Sequence, residues 1–443
     1  MPIDVQKALP KIVTLPPVVL DGSLDAISSK SDLHRLILCA ALSPKPTRIR
    51  YHAALSEDIR ATIEVLCALG AEIFEEPVDS SGVGMITVTR PLDAETAVRA
   101  ATLDCGESGS TARFILPLAA LYGKDVTITG SGKLPERPFE DLCVTLERMG
   151  ARFSSHALPI RVEQTMKPHG YFEICGNVSS QYITGLLFIL PLCKADGIRL
   201  TTPLASAGYV ELTADALRCY GVAVEWKENE LRTTGSYTSP FEIIDAQGDW
   251  SNAAFWLAAA NGNHKITLRG LCLSSQPDRA VVSLLSKMGM HIETHGDTVS
   301  AYAPERTNSI SFDASGIPDL VPILSVRAAV SKGKTVISGT HRLRLKESDR
   351  VEAVCRMLAD LGGSATADED HIYIEGQETL RGGSVNSFND HRIAMSAAIA
   401  AVFCENPVTI TGADAVSKSY PQFFEDLKKL VWKDVSPKAE GNA

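Results

Sequence analysis

The residues that could do chemistry recur at equivalent places along the chain. Arg35, Arg113, Arg350 and Arg392 each fall in the first turn of a segment with helical composition. A helix N-terminus exposes free N–H groups and a partial positive charge, so it attracts anions and disfavours an exposed cation by about 0.3–1 kcal/mol. Either each arginine pairs with the acid of its own cap (Asp32, Glu107, Asp349 or Asp390), or the four share an anionic ligand. One such arginine favours the local pair. Four at equivalent positions favour a shared site, because guanidiniums and free amides bind phosphate and carboxylate together. Lys30 and Lys346 add mobile charges beside two of these helix starts. Ser179, Ser180 and Gln181 open another helix with hydroxyls and an amide, which are good donors to phosphate and also ordinary caps. Asp319 in IPDLVP and Glu347 in LKESDR are the nearest acids, each able to move a proton or to cap a helix.

The elements that must position these groups repeat six times. One recurring segment reads as an amphipathic helix closed by glycine and followed by a strand, as in IEVLCALGAEI and VCRMLADLGGSA. The closing glycines are Gly70, Gly150, Gly221, Gly289 and Gly362, in steps of 80, 71, 68 and 73 residues. Each suits a left-handed helix stop. FFEDLKKLV is a sixth copy without the glycine. In register with these run six segments with a polar start and a dozen apolar residues: SKSDLHRLILCAAL, ESGSTARFILPLAAL, SSQYITGLLFILPL, DWSNAAFWLAAA, PDLVPILSVRAAV and NDHRIAMSAAIAAV. They are apolar almost all round, which predicts buried helices. Strand signals such as VTITG, HKITLRG and KTVISG follow them. The 443 residues divide into six units of about 74, too large for a solenoid repeat and consistent with two domains of three units. Periodicity places the junction near residues 244–250 and leaves open which half holds segment 1–27.

With 45% hydrophobic and 22% charged residues the composition is that of an ordinary globular protein, and 43 basic against 53 acidic residues give a net charge of −10. That balance argues against nucleic-acid or anionic-membrane partners, while a local basic pocket for small anions remains compatible. The longest apolar runs, 183–193 and 393–404, are too short to span a bilayer. The ten cysteines are scattered, with no Cys-x-x-Cys, which fits a reducing compartment better than a disulfide framework or zinc site. The N-terminal segment has no signal- or transit-peptide pattern, so a cytoplasmic location is expected.

Several motifs fail on inspection. Gly130–Lys133 (GSGK) and Gly333–Thr335 (GKT) lack the spacing of a phosphate loop. His291 and His295 have helical zinc spacing, but HIETH alternates like a strand, where residues four apart are about 13 Å apart. No metal site and no dinucleotide fingerprint is predicted.

Ten segments, in order SSKSDLHR, DCGESGSTAR, LPERP, VSSQYITG, LASAGYVELT, DWSNAAFWLAAA, IPDLVP, LRLKESDR, FNDHRIAM and SKSYPQFF, resemble the 5-enolpyruvylshikimate-3-phosphate (EPSP) synthase family over essentially the whole chain. The resemblance implies an α/β fold, a two-domain inside-out α/β barrel with three βαβαββ units per domain. It also implies that 1–27 joins 247–443 in one domain and that 28–246 forms the other, with the active site between them. The implied reaction moves the enolpyruvyl group of phosphoenolpyruvate to the 5-hydroxyl of shikimate 3-phosphate and releases phosphate, by a monomer with no cofactor and no metal.

Carried over by motif, Asp319, Glu347 and Lys30 are the catalytic residues, Asp319 taking the hydroxyl proton and Glu347, with Lys346 nearby, protonating the methylene carbon. Lys30, Ser31, Arg35, Ser179, Ser180, Gln181, Ser206, Asp319, Arg342 and Lys346 would bind shikimate 3-phosphate, with Tyr209 flanking it. Lys30, Gly109, Arg137, Gln181, Arg350, Arg392 and Lys418 would bind phosphoenolpyruvate. Two departures stand out: Arg342 where many relatives have Asn, and Glu107-Ser108-Gly109-Ser110 where Asn-Ala-Gly-Thr is common. Glu107 places an acid beside an expected anion site. Retention of Gly109 implies a site open to glyphosate. The same fold and donor serve UDP-N-acetylglucosamine enolpyruvyl transferase, which would show a catalytic cysteine in this region. The nearest cysteine, Cys105, precedes the glycine turn and reads as buried. An inactive anion-binding homologue would have lost Asp319, Glu347 or the arginines, all of which are present.

Overall fold

Five of the six buried helices start at a residue whose side chain caps them locally; Val321–Ala329, after Leu320, has no such cap. In the computed structural model, which describes residues 10–92, 101–123, 125–239 and 243–432, Ser29, Ser108 and Ser179 accept the backbone N–H of Asp32, Thr111 and Gln181. Asp249 and Asp390 do the same for Asn252 and Arg392. The helix bodies behind these caps (Lys30–Leu42, Gly109–Tyr122, Ser180–Ile189, Trp250–Ala259, Val321–Ala329 and His391–Ala400) are buried nearly all round. The second helices lie outside, and Gly70 ends the first at φ 118, a backbone conformation that any Cβ would strain; Gly150, Gly221, Gly289 and Gly362 also have positive φ.

Six sheets result, five of four strands and one of three. In each four-stranded sheet one pair of strands is parallel and two antiparallel strands complete it, and in three of the five the parallel pair is joined through a buried helix. The α/β class expected from the sequence is present, but the last unit departs from the expected βαβαββ pattern: only Gly383–Asn386 and Val408–Thr411 are its own strands. The sheets remain six separate groups of hydrogen-bonded strands, so the expected barrel is not closed. HIETH is the strand His291–His295.

Two strands exchange places. Gly22–Asp25 immediately precedes the first buried helix, yet it pairs with Ile266–Arg269, 244 residues away. Its place beside Thr47–His52 is taken by Ile243–Asp245. The connections cross where Ser28 bridges Gly248, and a Cβ on Gly248 would run into the carbonyl of Gly270. Ile12–Leu15 completes the last sheet, antiparallel to Val408–Thr411. Two separate cores follow: one spans Leu33 to Ala246, the other joins Leu20, Leu24 and Ile27 to residues from Trp250 to Leu430. The capped starts of buried helices from both bodies face one cleft.

Candidate active site

Seven cations line the cleft (Lys30, Arg35, Arg113, Arg137, Arg342, Lys346 and Arg392), against three carboxylates, Asp58, Asp319 and Glu347. A strongly positive pocket thus sits in a chain of net charge −10. Field lines concentrate in such a cleft and favour small anions.

The wall built from residues 30–209 holds two of its cations, Arg35 and Arg113, with neutral partners. Arg35 donates from Nε to Thr213 Oγ1 (2.9 Å) and from Nη2 to the Tyr209 carbonyl (3.0 Å). Arg113 donates to Gln181 Oε1 (3.0 Å) and to the Pro138 carbonyl (3.2 Å). Burial without an acid partner pushes the Arg35 and Arg113 guanidiniums down to about 10 and about 9. Gln181 also donates to Ser110 Oγ (2.9 Å), so its amide is fixed from both ends. Ser31, Ser179, Ser180 and Gly109 line this wall. A Cβ on Gly109 would run into the guanidiniums of Arg137 and Arg113. Lys30 Nζ pairs with Asp58 (2.7 Å) and also donates to the Lys418 carbonyl (3.3 Å).

The opposite wall is a network of charges. Asp319 accepts from Arg350 Nη1 (2.7 Å) and Arg392 Nη2 (2.9 Å), with Lys346 Nζ at 3.9 Å. Arg350 also binds Glu347 (2.7 Å) and Asp390 (2.8 Å). Burial raises the Asp319 carboxyl, but Arg392, Lys346 and Arg350 outweigh it and hold it well below the usual carboxylate range. Glu347 is likewise raised by burial and lowered further by Arg350 and Arg137. Burial brings Lys346 down to about 8. Arg350 is buried and supports the carboxylates from behind without lining the cavity.

None of the four arginines pairs through its side chain with the acid of its own cap. The Asp32 carboxylate accepts the Gln247 N–H, Glu107 accepts from Lys418, Asp349 caps its helix and pairs with Arg344, and the Asp390 carboxylate binds Arg350. The local alternative weighed on sequence is therefore overturned, because tertiary partners outcompete the neighbours.

Most of the residues singled out from sequence meet at this cleft. Arg137 Nη1 reaches across to Glu347 (3.9 Å), and Ser206 donates to the Ser315 carbonyl (2.8 Å) while accepting from Arg342 Nη1 (3.1 Å). Tyr209 lies between these groups. Arg350, behind the carboxylates, and Lys418 are the exceptions. Lys418 lies apart from the cavity. Its Nζ turns to Glu107 Oε2 (2.8 Å) and the Asn389 carbonyl (2.7 Å), outside the residues that line the cavity. Glu107, unexplained by sequence, is thereby a bridge between the two walls. Sequence reading missed Asp58 and His391, both of which line the cavity. His391 sits inside a motif already quoted, FNDHRIAM, and burial, followed by Lys30, lowers its ring well below the ordinary imidazole range. Among the described residues no cluster of three or more His, Cys, Asp or Glu could hold a metal.

The model of EPSP synthase (3-phosphoshikimate 1-carboxyvinyltransferase) matches residues 16–427. The chain belongs to this family. It is 41% identical over 424 residues to the 3-phosphoshikimate 1-carboxyvinyltransferase of Clostridium acetobutylicum, covering 94% of this chain and 97% of that protein. The enzyme of the same name from Clostridium kluyveri is 38% identical over 426 residues, covering 95% and 97%. Among solved structures, an EPSP synthase from Acinetobacter baumannii superposes with a TM-score of 0.74 at 24% identity, covering 95% of this chain and 98% of that one. The enolpyruvyl transferase NikO from Streptomyces tendae gives 0.71 at 18%, covering 95% and 97%. These two likenesses are of fold. Family membership agrees with the cation-lined cleft, and Cys105, the nearest candidate for the nucleotide-sugar alternative, is buried with its thiol raised by desolvation.

Proposed function

We propose that this chain transfers the enolpyruvyl group of phosphoenolpyruvate to the 5-hydroxyl of shikimate 3-phosphate and releases phosphate. The observation that carries the reading is the asymmetric cleft, with Arg35 and Arg113 held by neutral groups on one wall and two carboxylates amid arginines on the other. Two multiply charged anions repel each other, and fixed cations in a site shut off from water offset that repulsion. Lys30, Ser31, Arg35, Ser179, Ser180, Gln181, Ser206 and Arg342 bind shikimate 3-phosphate in this reading. Gly109, Arg137, Arg350, Arg392 and Lys418 bind phosphoenolpyruvate, which must draw Lys418 from Glu107.

Asp319 takes the proton of the 5-hydroxyl as its oxygen attacks C2 of phosphoenolpyruvate. The double-bond electrons move to C3, which takes a proton from Glu347. Loss of a methyl proton back to Glu347 then expels phosphate and leaves the enol ether. Both carboxyls bind protons weakly while arginines surround them. Incoming phosphate and carboxylate compensate those arginines and raise the proton affinity of Asp319 and Glu347, so substrate binding readies them. Residues 1–27 with 247–443 form one domain in this reading and 28–246 the other, supported by the two cores and the strand exchange. The enzyme acts as a cytoplasmic monomer, and among the described residues no helix is long and apolar enough to cross a membrane.

The test is phosphate release from phosphoenolpyruvate with shikimate 3-phosphate or UDP-N-acetylglucosamine as acceptor, with and without EDTA. Release only with shikimate 3-phosphate, unchanged by EDTA, is expected. Release with the nucleotide sugar, or none with either, overturns the reading. Inhibition by glyphosate at millimolar concentration or below checks the open site at Gly109.

A further inference from the structure

Behind Asp319 lies a second carboxylate that the mechanism above does not use. Asp278, in the short turn Pro277–Ala280, is 1% exposed and does not line the cleft. Among the described residues it forms no ion pair. Its Oδ2 accepts from Ser251 Oγ and from the Tyr209 hydroxyl (3.2 Å), while its Oδ1 is buried without a partner. The same Tyr209 hydroxyl lies 3.4 Å from Asp319 Oδ2. One phenol proton therefore stands between two carboxylates and can satisfy only one of them, which makes room for a second proton in the array.

We infer that Asp278, acting through Tyr209, holds the proton that Asp319 removes from the acceptor hydroxyl during the lifetime of the tetrahedral adduct. This rests on the proposed role of Asp319 as proton acceptor. The bookkeeping is closed: the hydroxyl proton reaches Asp319, passes to Tyr209 Oη as the phenol's own proton moves to Asp278 Oδ2, and returns by the reverse shift to leave on the phosphate. Nothing is oxidised and Tyr209 is neutral before and after.

The electrostatics run in the required direction. Asp319, beside Arg392, Lys346 and Arg350, keeps a proton poorly. Asp278 is raised to about 6, first by burial and then by Asp319, with Asp249 adding to the rise and Arg392 and the Ser251 hydroxyl opposing it. Burial, Asp278 and Asp319 raise the Tyr209 phenol well above its ordinary value, so it passes a proton on without ionising. A protonated Asp278 cannot receive another proton, so turnover should fall as pH drops through about 6.

The experiment compares wild type with Asp278→Asn and Tyr209→Phe, measuring kcat and both KM values against pH. Both variants are expected to lose about 10²-fold in kcat, the low end of what a positioned proton acceptor contributes, with KM values little changed. The acid limb near pH 6 should vanish in each, and the double variant should lose no more than the worse single one. An acid limb retained in Asp278→Asn, or an unchanged kcat, overturns the inference, since a merely structural aspartate would lower kcat without moving the limb. Infrared titration of the ligand-free protein tests it without activity. A buried protonated carboxyl band should titrate near pH 6 in wild type and be missing from Asp278→Asn. Absence of that band in wild type sinks the proton store whatever the activity. Its presence in a protein inactive with shikimate 3-phosphate places the failure in the functional reading instead.

Discussion

Two pairs of arginines, one on each side of the cleft, are held in opposite ways. Arg35 and Arg113 are bound by carbonyls, a threonine and an amide, and burial lowers their pKa to about 10 and about 9. Burial acts the same way on Arg350 and Arg392, but Asp390, Glu347 and Asp319 override it for Arg350, and Asp319 with Asp278 overrides it for Arg392, so both are raised. A buried cation with only neutral partners has charge left for a ligand, which suits a permanent anion such as a sugar phosphate. A cation already paired with a carboxylate exchanges partners when an anion arrives and releases that carboxylate for proton transfer. One wall is built to bind and the other to react.

The sharpest way to break this comparison is Asp319→Asn, which keeps shape and removes the proton acceptor. Turnover should fall by about 10³-fold, while shikimate 3-phosphate binding, measured by calorimetry, changes far less. An unchanged rate would end its role as base. Lys30→Ala comes next, because Lys30 contacts groups of both walls, Asp58 and the Lys418 carbonyl. A drop in kcat/KM of about 10²-fold for each substrate is expected, and wild-type kinetics would take Lys30 out of the site.

Gly109→Ala should raise the KM for phosphoenolpyruvate by about 10-fold, because the new methyl displaces Arg137 and Arg113 and such misplacement is costly. An unaltered KM would mean these guanidiniums do not touch that substrate. The reacting wall also predicts a basic limb. Lys346 is lowered to about 8 by burial, so its charge is present below that pH and lost above it. For the free enzyme, kcat/KM for phosphoenolpyruvate should decline as pH rises through about 8, and Lys346→Arg should move the limb out of range. Smallest of all is Glu107→Gln. It weakens a partly exposed ion pair, frees Lys418 and should lower the KM for phosphoenolpyruvate by about 5-fold or less. A raised KM would instead make Glu107 a brace that the closed cleft requires.

Local patterns were the legible part of the chain. Six apolar helices behind Ser, Asp or related starts, and five glycines at near-even steps, follow from capping, hydrophobic burial and the left-handed helix stop, all of which act within a few residues. The family motifs also marked residues that come together at the cleft. Partner choice could not be read this way. Arg350 binds Asp390, 40 residues on, rather than the adjacent Asp349, and Arg35 binds Thr213, 178 residues on, rather than Asp32. The exchange of Gly22–Asp25 with Ile243–Asp245 leaves no periodic trace, since each is a short strand that pairs parallel at the edge of a mixed sheet. The sequence by itself determined the repeated unit and the chemical types gathered at its helix starts, because those depend on near neighbours. Only the tertiary structure decided which arginines stay unpaired by acids, that Glu107 bridges to Lys418 and that Asp278 stands behind Tyr209. Those outcomes depend on desolvation and on charges brought together from opposite ends of the chain.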